Sequence, residues 1–262
     1  MPIGSLSIRH PVDVTSTKPG VEARFLGTGN YLTPSRYWNS FVLDGHVLVE
    51  PAPTALPHLR KVGLSASDID VVAISHFHPD HTFGWPFLLL ELVQQPRTTP
   101  IHVVGPPGVR TFLTSMLDLG GVLNIDAAAQ RVLDMTFVEV DSSWKQIGSL
   151  RLRGIQVEHV PELECFGFLF EINGHVVGYS GDTRPCPGLD ELAAQSDVLI
   201  LECNGPHNPL LPVTHMDLAA VEELHRRHPQ LPLVLTHLGV EPDLTNLPNT
   251  TVPNDLETIP LL

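Results

Sequence analysis

The sequence predicts an α/β fold in which β-sheets carry helices on their outer faces, and three observations lead there. Short aliphatic and β-branched runs recur along the 262 residues, separated by stretches with helical spacing. Two dipeptides, Asp44-Gly45 and Asn173-Gly174, each stand between apolar runs, as residues of a tight hairpin turn do. Hairpins therefore come early and late, with helices between them. At 42% hydrophobic the chain can bury one sizeable core, so a single domain over 1–262 is expected, its core about 22–240.

Each element follows from local pattern. Residues 1–20 are polar and irregular, and a first strand at 23–26 stops at Gly27-Thr28-Gly29. Strands at 40–43 and 46–49 flank Asp44-Gly45 as a hairpin. A short helix is expected at 56–62, a buried strand at 71–75, an apolar helix at 85–93, and a buried strand at 101–104 closed by Gly105-Pro106-Pro107-Gly108. Helical spacing covers 109–117. Between Gly120 and Asp134 the pattern weakens, as in a mobile insertion near a site. Strands return at 136–140 and 150–160, then at 166–172 and 175–179 across Asn173-Gly174. Helices at 189–194 and 218–227 alternate with strands at 198–201 and 233–236, and the Pro- and Asn-rich tail from Glu241 reads as loop.

Composition excludes some classes. A formal charge of −14 with only 15 Lys plus Arg argues against a protein that grips nucleic-acid backbone and for a small substrate. Cys165, Cys186 and Cys203 are too few and scattered for a disulfide framework or a Cys–Cys metal site, and read as inert thiols of a reducing compartment. Neither a leader pattern nor an apolar stretch of membrane-span length appears. A soluble, cytoplasmic protein without a membrane partner is expected.

The chemistry concentrates in His76-Phe77-His78-Pro79-Asp80-His81, directly after the apolar run 70–75. In extended backbone His76 and His78 project to one side. Once the chain turns at Pro79, Asp80 and His81 can face a second point nearby. Burying three imidazoles and a carboxylate without a partner would cost several kcal/mol, so metal binding is the better reading, and one segment could serve two neighbouring cations. Three more ligand-type residues leave apolar strands: His159, Asp182 in Ser180-Gly181-Asp182-Thr183, and His237 after 233–236.

This order of motifs resembles the metallo-β-lactamase superfamily. Gly-Asp-Thr-Arg-Pro-Cys at 181–186, HVPELECFGF at 159–168 and Thr236-His237-Leu238 look most like its ribonuclease Z branch. The likeness extends from Phe25 to Gly239. It implies a four-layer αβ/βα sandwich, with His76, His78 and His159 on one metal, Asp80, His81 and His237 on the other, and Asp182 bridging both. Imidazole and carboxylate donors suit two divalent ions, zinc first, with manganese or iron as alternatives. The resemblance also places His215 close to the scissile phosphate, with Glu202 orienting it, so that Asp80, His215 and Glu202 would serve catalysis. Asp217 stands where the branch usually has Ser or Thr, and Glu50-Pro51 where it often has Asp and Gly. His175, His207, His225 and His228 read as surface or structural residues.

Such a centre would make a hydrolase through a metal-bridging hydroxide. The ribonuclease Z branch carries a long tRNA-gripping arm between the positions of His159 and Asp182, whereas here that interval holds one short hairpin. The reading is therefore a phosphodiesterase acting on a small phosphoester. The alternatives are a lactonase or β-lactamase-like hydrolase, a ribonuclease Z-type endonuclease, and a non-catalytic binding or sensor protein. The likeness allows a homodimer.

Overall fold

The computed structural model describes residues 18–122, 124–205 and 212–262. The expectations for residues 1–17 and His207 lie outside them.

Two seven-stranded sheets face one another. The first runs through β1 (Glu22–Gly27), β2 (Ser40–Leu43), β3 (Val47–Val49), β4 (Val71–Ala73), β5 (Ile101–Gly105) and β6 (Met135–Glu139), in that order, with β14 (Thr258–Pro260) outside β1. The second runs from β7 (Lys145–Ile147) through β8 (Leu150–Val157), β9 (Cys165–Ile172), β10 (His175–Tyr179), β11 (Val198–Glu202) and β12 (Leu233–Thr236) to β13 (Thr250–Thr251).

Period-two alternation sorts the side chains into layers. Phe25, Phe41, Val49 and Ala73 meet Leu152, Phe168, Phe170, Tyr179 and Val234 between the sheets. Val42, Leu48, Val72 and Val103 point the other way, onto α1 (Ala55–Lys61), α3 (Trp85–Gln94), α4 (Val109–Leu119) and α5 (Ile125–Val132). Across the molecule Ile155, Leu169, Leu199 and Leu235 pack on α6 (Pro187–Gln195) and α7 (Leu218–Arg227). The result is the expected αβ/βα sandwich. Both predicted hairpins form, because Asp44, Gly45, Asn173 and Gly174 all take positive φ.

Two expectations need correction, and one strand is added. Residues 120–134 hold α5, which packs on α3 and α4 through Ala129, so the stretch belongs to the outer helical layer. Its alanines favour helix, but its narrow apolar face hides the period. The tail beyond Glu241 is not all loop, since β13 joins β12 and β14 joins β1. Lys145–Ile147 adds an edge strand, too short and polar to stand out. No helix among the described residues is long and apolar enough to cross a membrane.

Strand direction positions the site. β10, β11 and β12 run parallel, so the residues that follow them emerge side by side. β4 delivers the histidine segment from the opposite sheet, where Phe166 N–H donates to the Ser75 carbonyl (3.0 Å) and ties the two sheets together.

Candidate metal centre

The histidine segment turns as its sequence demands. Past β4 the chain bends at Ser75 and His76, His78 is extended, and Pro79 opens the single helical turn α2 (Pro79–Thr82). His76 and His78 end up with ring centroids 4.6 Å apart, while Asp80 and His81 face the neighbouring point. His159 follows β8, Asp182 follows β10 and His237 follows β12. His237 holds a left-handed backbone (φ 53°), unusual for a non-glycine residue. Two bonds hold its loop there: Leu238 N–H donates to the Thr28 carbonyl (2.8 Å), and Asn30 N–H to the Leu238 carbonyl (3.0 Å).

All seven sequence-selected residues converge. Ligand-type atoms of His76, His78, His159 and Asp182 lie within 4.8 Å of one another, as do those of Asp80, His81 and His237. Asp182 is central: its Oδ2 stands 3.3 Å from His81 Nε2, 3.5 Å from His237 Nε2, 3.8 Å from His76 Nε2 and 3.9 Å from His159 Nε2. Asp80 Oδ2 lies 3.6 Å from both His81 Nε2 and His237 Nε2. Most of these separations are too long for hydrogen bonds. They match donor spacing around an ion, since ligands about 2.1 Å from a tetrahedral metal stand roughly 3.4 Å apart.

The buried atoms His76 Nε2, His81 Nε2, His237 Nε2 and Asp182 Oδ1 have no hydrogen-bond partner among the described residues. Groups this deeply buried are ordinarily satisfied, so these residues fit a cationic guest. Outer partners engage the opposite ring nitrogens. His76 Nδ1 meets Ser75 Oγ at 2.9 Å, His159 Nδ1 donates to the Thr214 carbonyl at 2.8 Å, and His237 Nδ1 contacts the Asn204 amide at 3.3 Å. Such contacts orient the inward nitrogen. Buried Glu50, at the sequence departure noted above, takes the Ser75 N–H (3.2 Å) and lies 3.6 Å from His81 Nδ1. It occupies a left-handed backbone (φ 57°). Sequence reasoning marked Glu50 only as a departure and missed Asn204, because neither stands in the histidine motif.

Burial pushes the His76 imidazole well below its ordinary pKa and that of His159 down to about 4, so both are neutral donors at pH 7. For Asp182 burial acts upward, but the facing His237 and His81 outweigh it and hold the carboxylate well below the usual range. Burial likewise opposes charge on His81, yet Asp182, Asp80 and Glu50 raise it well above the usual histidine range. With a metal present, that cation gives way to the ion.

His215 and Glu202 stand beside this cluster. Glu202 ends β11 fully buried, accepts the Thr183 N–H at 2.6 Å, and meets His215 Nδ1 at 3.0 Å. Burial works against a charged His215, but the Glu202 charge and hydrogen bond win and raise it to about 9. His215 Nδ1 also lies 3.9 Å from Asp182 Oδ2. Asp217, two residues on, caps α7 by accepting the Ala220 N–H at 2.8 Å. Cys165 and Cys203 are buried, and burial pushes their thiols up to about 12. His175, His225 and His228 take no part in the clusters.

Four layers with a histidine–aspartate cluster across the strand ends define a class of metal-dependent hydrolases. The family model described as Beta-lactamase superfamily domain matches residues 45–238, and the chain belongs to that superfamily. A curated relative, ribonuclease Z of Mycobacterium marinum, is 29% identical over 196 residues, covering 69% of each chain. Among solved structures, the short form of human tRNase Z shares the fold at TM-score 0.71 and 22% identity, over 92% of this chain and 99% of that one. A diphosphatase from the PhnP family does so at 0.70 and 17%, over 91% and 97%.

These relatives overturn the expectation of a small-molecule ester partner with nucleic acid unlikely, because curated relatives of the chain are named ribonuclease Z. The charge argument failed for a physical reason. Formal net charge sums the whole surface and leaves out bound divalent ions, whereas a phosphate at a metal cluster meets the local field.

Proposed function

We propose that the protein is a binuclear metal-dependent phosphodiesterase that hydrolyses RNA. The observation that carries this reading is the His215–Glu202 pair, a charged imidazole 3.9 Å from the central carboxylate: His215 also falls in a third ligand-type group with Asp182 and His237, but its Nδ1 is taken by the Glu202 carboxylate. His76, His78 and His159 would hold one ion, Asp80, His81 and His237 the other, and Asp182 both. Zinc is the first choice for these donors. Two such ions lower the pKa of a water, orient it, and neutralise charge on the attacked phosphoryl group.

The chain's own residues supply the rest. Attack of water on phosphorus forms a P–O bond while the water's proton would pass to the partly buried Asp80 carboxylate and on to solvent, and it breaks the bond to the ester oxygen in line with it. The departing alkoxide then takes the proton of His215. Glu202 keeps that imidazole protonated and aimed, and its own orientation is fixed by Thr183 N–H. His78 and Asp80 are only partly buried, so the cluster opens to solvent on their side and a polymer can approach. Between His159 and Asp182 the chain forms only the β9–β10 hairpin, which leaves the grip on RNA to the rim of the site.

The test is incubation of zinc- and manganese-loaded protein with end-labelled RNAs, a precursor tRNA included. Metal-dependent cleavage is expected. Turnover of a lactone or β-lactam with every RNA left intact would replace this reading by the lactonase one.

A further inference from the structure

The rim beside the cluster carries a feature that metal chemistry does not need. Tyr31 and Trp38, on the loop between β1 and β2, line a hollow of about 330 Å³ together with His78, Pro79 and Asp80. Tyr31 is 58% exposed, so its ring face is open to a ligand at the mouth of the hollow. The volume lies near the lower end of the ~300–1,000 Å³ spanned by small-molecule clefts, which suits one planar group better than a folded element.

The loop is also rigid and tied to the centre. Gly29 N–H donates to the Tyr37 carbonyl and Asn39 N–H to the Gly29 carbonyl, both at 2.8 Å. The Asn30 side chain accepts the N–H groups of Leu32 and Thr33, each at 2.9 Å, and donates to Asn204 Oδ1 at 2.8 Å. Asn204 is the residue in contact with His237 Nδ1. One short chain of polar contacts therefore registers the aromatic loop against a cluster histidine.

We propose that Tyr31 and Trp38 form a stacking platform for the nucleobase next to the scissile phosphate. The inference rests on the phosphodiesterase reading and names what that site takes beside the phosphate. Aromatic faces hold any of the four bases, because every base has a π-face. Among the lining side chains His78 and Asp80 belong to the cluster, and beyond them just the Tyr31 hydroxyl and the Trp38 indole N–H could hydrogen-bond a base edge. The platform thus selects for a base but discriminates little among bases.

The test uses zinc-loaded protein and equilibrium dialysis with adenosine 5′-monophosphate and ribose 5-phosphate, which share the phosphate and differ by the base. The nucleotide should bind about tenfold more tightly or better. Tyr31→Ala and Trp38→Leu should each bring that ratio toward one, and Trp38→Phe should restore most of it. Should the Trp38→Leu protein fail to fold, exposed Tyr31 still carries the comparison. Equal binding of the two ligands, no measurable nucleotide binding, or an unchanged ratio in Tyr31→Ala would overturn the platform. RNA cleavage is scored separately: a base preference without cleavage would sink the phosphodiesterase reading alone, and cleavage without a base preference would sink the platform alone.

Discussion

Unlike His76, His159 and His237, whose Nδ1 atoms meet neutral groups, His215 has its Nδ1 3.0 Å from the buried Glu202 carboxylate, and in the proposed mechanism that ring carries a proton. Replacing it by alanine should leave metal content unchanged and slow cleavage of an ester with a poor leaving group by roughly 10²–10⁴-fold. With p-nitrophenolate, which departs unprotonated, the loss should shrink. Metal analysis together with rates on both esters checks this, and an equal loss on the two would make His215 a positioning residue. Asp217 carries a smaller expectation. As the N-cap of α7 it accepts the Ala220 N–H, so Asp217→Ala should cost about 1 kcal/mol in chemical denaturation while Asp217→Ser retains most of the stability. The Asp in place of the branch's Ser or Thr thus fills a cap that any of the three can make.

The elements that build the site were the ones whose signals are local. Asp44-Gly45 and Asn173-Gly174 specify their turns through positive φ, and ligand-type residues directly after apolar runs could be read off as strand ends. What escaped depends on distant partners. β14 pairs with β1 from the far end of the chain, and Asn204 matters only because β11 and β12 lie side by side. Backbone packing there is tight. A Cβ on Gly239 would stand 1.7 Å from the Asn204 carbonyl oxygen, so Gly239→Ala must push the loop after β12 away from the loop after β11. The expected cost is at least about 2 kcal/mol, with weakened metal binding through His237, read by thermal melting and zinc titration. Unchanged zinc affinity in a folded Gly239→Ala protein would show that the two loops are not coupled.

Two sheets bury their shared face while their strand ends pack at least five histidines and two carboxylates into one edge of the sandwich. Without a cation that edge holds unpartnered polar atoms, so metal should act as part of the folded structure. Excess chelator should lower the melting temperature, added zinc should restore it, and Asp182→Ala should abolish most of the difference. A melting temperature indifferent to chelator would argue against a structural share for the metal. Net charge, the broadest feature of the chain, was the poorest guide to partner, because −14 spread over the surface says little about the field at one cluster. The most direct test of the whole account is cleavage of an end-labelled RNA by metal-reconstituted protein, run beside an excess-chelator control and the Asp182→Ala variant. Cleavage that disappears in both controls is the predicted result, and intact RNA with two bound metals, or cleavage that survives the chelator, would contradict it.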